Sequence, residues 1–197
     1  MQDDHELIEQ VLQGDKEAYT QIFDRYKARI YTLLYRMIGH PQDAQDLTQE
    51  VFIKTYYQIH SYKPQHSFSA WLYRIAANHC LDQIRKRKKI QFVNTDEATI
   101  AHQQTPEFIY LEKEQNDLLY QQILELDEDY RVVLVLRHVE SLSYKEIGEI
   151  LGVPVTTIQM RLHRAHKKLR TCMTTPQKGG VVHDLREIQP ATGLFRR

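Results

Sequence analysis

Apolar residues recur at three- and four-residue intervals along most of the chain. The pattern is cleanest from Ser143 to Arg170, SYKEIGEILGVPVTTIQMRLHRAHKKLR. Ile147, Ile150 and Leu151 give a first helix its apolar face. Ser143 and Glu146 have the S-x-x-E spacing of a capping box, which satisfies orphan N–H groups at a helix start. Gly152 suits the left-handed position that ends a helix. Val153, preceding Pro154, is biased to extended backbone, and Pro154 is tolerated at the start of a second helix. Ile158, Leu162, Ala165 and Leu169 form that helix's buried stripe. Its other faces carry Thr156, Thr157, Gln159, Arg161, His163, Arg164, Lys167 and Lys168. Two readings fit: an ordinary helical hairpin with a solvated charged face, or a helix-turn-helix whose basic second helix lies in a DNA major groove. The capping box, the Gly-x-Pro turn and the one-sided basic helix together favour the second.

The same period predicts helices upstream. Residues 3–13 form a short helix with Leu7, Ile8, Val11 and Leu12 apolar, ended by Gly14. Asp15 caps a long amphipathic helix to Ile38 that buries Ile22, Phe23, Tyr26, Ile30, Leu33, Leu34, Met37 and Ile38, and Gly39 stops it. Pro41 opens a third helix to about residue 59, with Asp43 and Asp46 near its positive end. Leu47, Val51, Phe52, Tyr56 and Ile59 face inward; Asp43, Asp46, Gln49, Glu50 and Lys54 stay polar. That acidic face is either plain solvation or a dock for a basic partner. After a loop with Tyr62, Lys63 and Pro64, Ser67 or Ser69 caps a fourth helix, FSAWLYRIAANHCLDQIRKRKK. Trp71, Leu72, Ile75, Ala76 and Ile84 are its apolar positions, and Arg74 with Arg85–Lys89 its cations. An aromatic loop beside a basic helix can hold single-stranded DNA, bases on rings and cations along phosphate. Phe68 and Trp71 are equally readable as core residues. Residues 90–105 lack periodicity and read as a linker. Thr105-Pro106-Glu107 starts a helix to about Leu126, and Tyr130–Val139 is an apolar buried helix under the helix-turn-helix. The class is all-α: two small helical domains, 1–89 and 107–173, on a flexible linker, 90–106. The extension 174–197, with two Pro and three Gly, is expected to be disordered.

Charge changes this picture. The net charge is zero, which taken alone speaks against nucleic acid, but the average hides blocks. Residues 61–89 hold seven basic side chains against one acidic, and 131–173 hold eight against three. Residues 1–60 are net −4 and 90–130 net −9. Two separated basic segments imply two DNA-facing surfaces, with the acidic segments turned to protein or solvent. No apolar run approaches the length of a membrane span, and no secretory signal opens the chain. Cys80 and Cys172 form no ligand pattern and read as reduced cytosolic thiols. The expected compartment is therefore the cytoplasm.

Nothing predicts catalysis. The phosphate loop G-x-x-x-x-G-K-[ST], G-x-G-x-x-G, H-E-x-x-H and G-x-S-x-G are all missing. His163 and His166, three apart, lack a carboxylate or thiol at matching spacing, so base and phosphate contacts explain them better than a metal. His79 and Cys80 point in different directions and read as packing residues. No cofactor, metal or catalytic residue is expected.

With these residues in view the chain resembles the bacterial extracytoplasmic-function (ECF) sigma factors, RNA polymerase specificity subunits of the sigma-70 family. DLTQEVFIKTYYQI is similar to sigma region 2.2, FSAWLYRIAANHCLDQIRKRK to regions 2.3 and 2.4, and DYRVVLVLRHVESLSYKEIGEILGVPVTTIQMRLHRAHKKL to region 4. The resemblance spans residues 5–173 and implies a factor that binds core RNA polymerase and directs promoter-specific initiation. By position it implies that Asp43, Asp46, Gln49 and Glu50 dock on the β′ clamp helices. Tyr62, Lys63, Phe68, Trp71, Ile75 and Asn78 would hold an unstacked base of the minus-ten element, with Arg74, Arg85, Lys86 and Arg87 on its phosphates. Gln159, Met160, His163 and Arg164 would face base edges of the minus-thirty-five element, with Thr157, Arg161 and Lys167 completing that surface. Relatives often carry Arg where this chain has Gln159; Gln pairs with adenine where Arg pairs with guanine. The family further implies contact with the β flap and an anti-sigma factor, often membrane-anchored. The rival reading is a free-standing helix-turn-helix regulator, which leaves the second basic surface and the acidic third helix without tasks.

Overall fold

The helices begin where side-chain acceptors meet orphan amides. A computed structural model describes residues 3–65, 67–93 and 115–174, with side chains described for all but a few residues at helix ends. Asp3 and Glu6 form a capping box on α1 (Asp4–Leu12). Asp15 Oδ1 accepts the amides of Glu17 and Ala18 at 2.8 and 3.3 Å, starting α2 (Lys16–Ile38). Pro41 opens α3 (Pro41–Gln58), which runs into a 3-10 turn at Ile59–Ser61. Ser67 starts α4 (Phe68–Val93): its Oγ accepts the Ala70 amide at 3.2 Å, deciding between the two candidate serines. Then come α5 (Gln115–Glu125), α6 (Glu128–His138), α7 (Tyr144–Leu151) and α8 (Val155–Thr174). The described residues form eight α-helices and no strand.

The expected helix-turn-helix is present in detail. Ser143 and Glu146 exchange both capping-box bonds, at 2.7 and 3.3 Å. Gly152 takes φ +66 and closes α7. The Pro154 carbonyl accepts the Ile158 amide, so Pro154 precedes α8 rather than lying within it. The turn is tight because Gly148 lies against it: a Cβ there would sit 2.9 Å from the Val153 carbonyl oxygen. Ile158, Leu162, Ala165 and Leu169 are buried as the spacing predicts.

One expectation needs correcting. On α3 the inward residue is Thr55, not Tyr56, which is 39% exposed. The stripe steps Leu47, Val51, Thr55, Ile59, and the Thr55 hydroxyl is satisfied by the Val51 carbonyl at 2.7 Å, so a hydroxyl is buried at little cost. The two helical blocks also share a core. Ile22, Ile30, Leu33, Leu34 and Met37 of α2 and Leu72, Ala76 and Ala77 of α4 continue into Val132, Val133 and Leu136 of α6 and Ile147 and Ile150 of α7. Helix α6 is buried from Arg131 to Leu136, as expected of a helix apolar on every side. Helix α4 runs to Val93, four residues into the segment expected as linker; residues 94–106, the start of the 107–126 helix and the extension from residue 175 lie outside the described residues.

Candidate nucleic-acid interface

About three turns of α4, from Trp71 to Asp82, wall a cleft of about 570 Å³ against the end of α3. Trp71, Arg74, Ile75 and Asn78 face into it, joined by Lys63 from the loop. Four of these are residues expected around an unstacked base, and the fifth, Arg74, was expected on its phosphates. Trp71 is half-buried, with Tyr62 and Phe68 behind it at ring distances of 5.7 and 5.6 Å. Phe68 itself is 2% exposed, wedged between Tyr26 and Tyr62. It buttresses the wall and is not available for stacking, a correction to its expected place.

The basic run of α4 does not act as one strip. A helix turns about 100° per residue, so Arg87 lies about 160° from Trp71, while Lys86 stays near the cleft side and is exposed. Arg87 pairs with Asp43 on α3, whose carboxyl this guanidinium holds below the usual carboxylate range. One residue expected on phosphate and one expected on polymerase are thus partners of each other. Arg85 meets Asp129 of α6 at 3.2 Å, and Lys88 pairs with Glu128. Asp129 also takes Arg161 of α8 at 2.8 Å, and Asp127 takes Lys168 at 2.5 Å. The acidic start of α6 therefore occupies cations of both basic segments, an arrangement invisible in the sequence because it joins residues over thirty positions apart.

Along α8, Gln159, Met160, His163, Arg164 and Lys167 are all exposed, Met160 to 43% despite its apolar side chain. Thr157 is half-buried at the helix start, and Arg161 leans back to α6. His166 turns away from this face and meets His138 of α6, with Nε2 to Nε2 at 3.1 Å. Burial, then His166 and Arg137, push His138 below the ordinary histidine value; burial, then His163 and Arg170, do the same to His166. The lowered values make the folded pair harder to protonate than the same side chains in the unfolded chain. The unfolded chain takes up protons below about pH 6.5 that the folded pair refuses, so this contribution is whole above that pH and lost as pH falls. Urea midpoints measured from pH 7.5 to 5.5 are expected to drop more steeply for the natural chain than for His166→Gln. Equal slopes would remove the pair as the cause.

On α3, Asp46, Gln49 and Glu50 are exposed and share a face, as expected. That face continues into Ile53 and Tyr57, 58% and 71% exposed, beside Tyr19, Phe23 and Phe52. The apolar half of this surface was missed in the sequence, although Ile53 and Tyr57 follow Gln49 and Glu50 at helical spacing.

The Sigma-70 region 2 family profile matches residues 22–90, and the Sigma-70 region 4 profile residues 116–169. The ECF RNA polymerase sigma factor SigW of Bacillus subtilis is 40% identical over 173 residues, covering 83% of this chain and 92% of that protein. The ECF RNA polymerase sigma-E factor of Escherichia coli K12 is 31% identical, covering 84% and 92%. Among solved structures, the sigma factor RpoE of Bartonella quintana, crystallised with the anti-sigma factor NepR, superposes with a TM-score of 0.67 at 19% identity over 81% of this chain and 98% of that one. CnrH in complex with the cytosolic domain of CnrY gives 0.63 at 22%, over 86% and 96%. The structural matches speak for the fold. The two profiles, in order, and relatives matched over nine-tenths of their length decide the family: the chain belongs to the ECF RNA polymerase sigma factors.

Proposed function

We propose that this sigma factor, which binds core RNA polymerase and directs promoter-specific initiation, divides that work among α3, α4 and α8. The face of Asp46, Gln49 and Glu50, extended by Ile53 and Tyr57, docks on the β′ clamp helices. The cleft on α4 captures an unstacked base of the minus-ten element: Trp71 and Ile75 supply the apolar wall, Asn78 a polar edge, Lys63 and Arg74 phosphate contacts. The exposed face of α8 reads the minus-thirty-five element. The observation that carries this reading is the cleft, which collects Lys63, Trp71, Arg74, Ile75 and Asn78 in one place. Unstacking a base costs a few kcal/mol, and a prepared pocket offsets that cost. We take residues 1–89 and 107–173 as the working parts, with catalysis belonging to the polymerase.

Minus-ten and minus-thirty-five centres are separated by about 25 base pairs, or about 85 Å at 3.4 Å per step. Two blocks sharing one core do not span that, so they part on a promoter and Arg85 exchanges Asp129 for phosphate. One structural neighbour is bound by the anti-sigma factor NepR and another by the cytosolic domain of CnrY, which supports an anti-sigma factor, membrane-anchored or not, for this chain. No described helix is long and apolar enough to cross a membrane, and we place the factor in the cytoplasm.

Run-off transcription with core polymerase on a randomised promoter library tests the reading. Selection of two elements at a fixed spacing is the expected result; binding of intact duplex by the chain alone, with no initiation, would sink it. On the selected promoter, Arg164→Ala is expected to lose about 1–3 kcal/mol of discrimination at one minus-thirty-five base pair, as for a bidentate base contact. A promoter-variant binding series with unchanged preference would take Arg164 out of base reading.

A further inference from the structure

Between the docking face of α3 and the cleft on α4 stands one imidazole. His79 Nε2 lies 2.6 Å from Glu50 Oε2, and its Nδ1 lies 2.9 Å from Lys54 Nζ. The ring is 11% exposed, Glu50 51%. Lys54 and His79 both line the cleft beside Trp71 and Asn78. The chemistry fixes the direction of these bonds. An ammonium only donates, so Nδ1 accepts from Lys54; the neutral ring then carries its proton on Nε2 and donates it to the Glu50 carboxylate. Glu50 holds the ring with one oxygen and keeps the other, with half its surface, for a basic partner.

We infer that His79 couples polymerase docking to base capture: a grip on Glu50 is passed through the imidazole to Lys54, which it sets across the cleft as a further nucleic-acid contact. This rests on the proposed roles of Glu50 and the cleft. Glu50 is half-exposed and Lys54 exposed, so in the free chain holding either of them in one rotamer costs side-chain entropy. A cation of the polymerase on the free oxygen fixes Glu50, His79 and Lys54 together, so DNA meets an ammonium already in place instead of ordering it at the cost of side-chain entropy. Such coupling is reciprocal: captured single strand tightens polymerase binding by the same factor. Lys54 is a nucleic-acid contact and His79 the group that positions it, and the family resemblance supplied neither.

The test uses the full chain, core polymerase and a fluorescent single-stranded oligonucleotide carrying the selected minus-ten sequence. Core-polymerase affinity is measured with and without saturating oligonucleotide, for the natural chain, His79→Leu, His79→Gln, Lys54→Met, the double variant of His79→Leu with Lys54→Met, and Trp71→Ala. The natural chain is expected to bind polymerase about tenfold tighter with oligonucleotide present, within the usual range of such couplings. His79→Leu keeps the oligonucleotide-free affinity within about twofold but loses most of that tightening, as does Lys54→Met, and the double variant loses no more than either. His79→Gln recovers most of it, because an amide offers a donor and an acceptor at about the spacing of the ring nitrogens. A generally loosened fold would instead lower the oligonucleotide-free affinity and gain nothing from Gln. Undiminished tightening in His79→Leu, additive losses in the double variant, or Gln no better than Leu overturns the coupling. If those variants fail in this way while Trp71→Ala still abolishes oligonucleotide binding, the cleft reading stands alone. If Trp71→Ala binds oligonucleotide normally, the cleft reading falls and the coupling with it.

Discussion

Trp71→Ala is expected to slow promoter opening about 30-fold while core-polymerase affinity stays within about twofold. Base–aromatic stacking is worth about 1–3 kcal/mol per base, and 2 kcal/mol is about 30-fold. Trp71 is suited to that role because it is half-buried: Tyr62 and Phe68 fix its plane from behind, and its remaining face looks into the cleft. The docking face lies on α3, away from this ring, so removing the indole leaves it intact. Permanganate reactivity of unpaired thymines reads opening, and binding to labelled core polymerase reads docking. Trp71→Phe keeps a stacking face and should recover most of the rate. A melting curve guards against loss of packing against Tyr62. Parallel loss of opening and docking in a well-folded variant would mean that Trp71 is only part of the core.

What the sequence made legible is what local chemistry determines. The capping box, Gly152 and the Ile158–Leu169 stripe use neighbours within four residues, so their geometry follows from spacing alone. The cleft was legible for a related reason: Trp71, Arg74, Ile75 and Asn78 recur on one helix face, and a period suffices to gather them. Phe68 was not, because whether a ring at a helix start stacks outward or inward depends on Tyr26, forty-two positions away. The partner of Arg87 was illegible for want of the same information. The arginine's charge suggested phosphate, but its angle on α4 points it at Asp43. His79 reads as a packing residue from its position next to Cys80. Cys80 is indeed buried, its thiol pushed up to about 12 by burial, whereas His79 is tied at both nitrogens to polar partners on α3. Pairings across helices are set by tertiary packing, and no period announces them.

Arg131 is the strongest instance, and Arg131→Met should cost about 3 kcal/mol of folding stability. In the sequence it is one cation within an apolar stretch, DYRVVLVLRH, without remark. In the structure it is 8% exposed and donates to three carbonyls: Nη1 to Met37, Nη2 to Leu124, and Nη2 to Leu126 at 2.8 Å. Met37 and Leu124 are among the last residues of α2 and α5, so their carbonyls have no partner within their own helices. One guanidinium therefore caps the negative ends of two helices, a favourable place for a cation. Burial pulls its pKa down from the arginine value without neutralising it. Methionine preserves the apolar stem and leaves three acceptors unanswered, at about 1–3 kcal/mol each before the relief of desolvating one fewer charge is credited. Lysine brings donors without the fork and should fall between methionine and the natural residue. Lys168→Met, which breaks an exposed pair with Asp127, is the contrast and should change stability by less than about 1 kcal/mol. Urea midpoints at pH 7.5 measure all three. If Arg131→Met unfolds within 1 kcal/mol of the natural chain, the carbonyls find other donors and the double cap is not what joins α6 to the ends of α2 and α5.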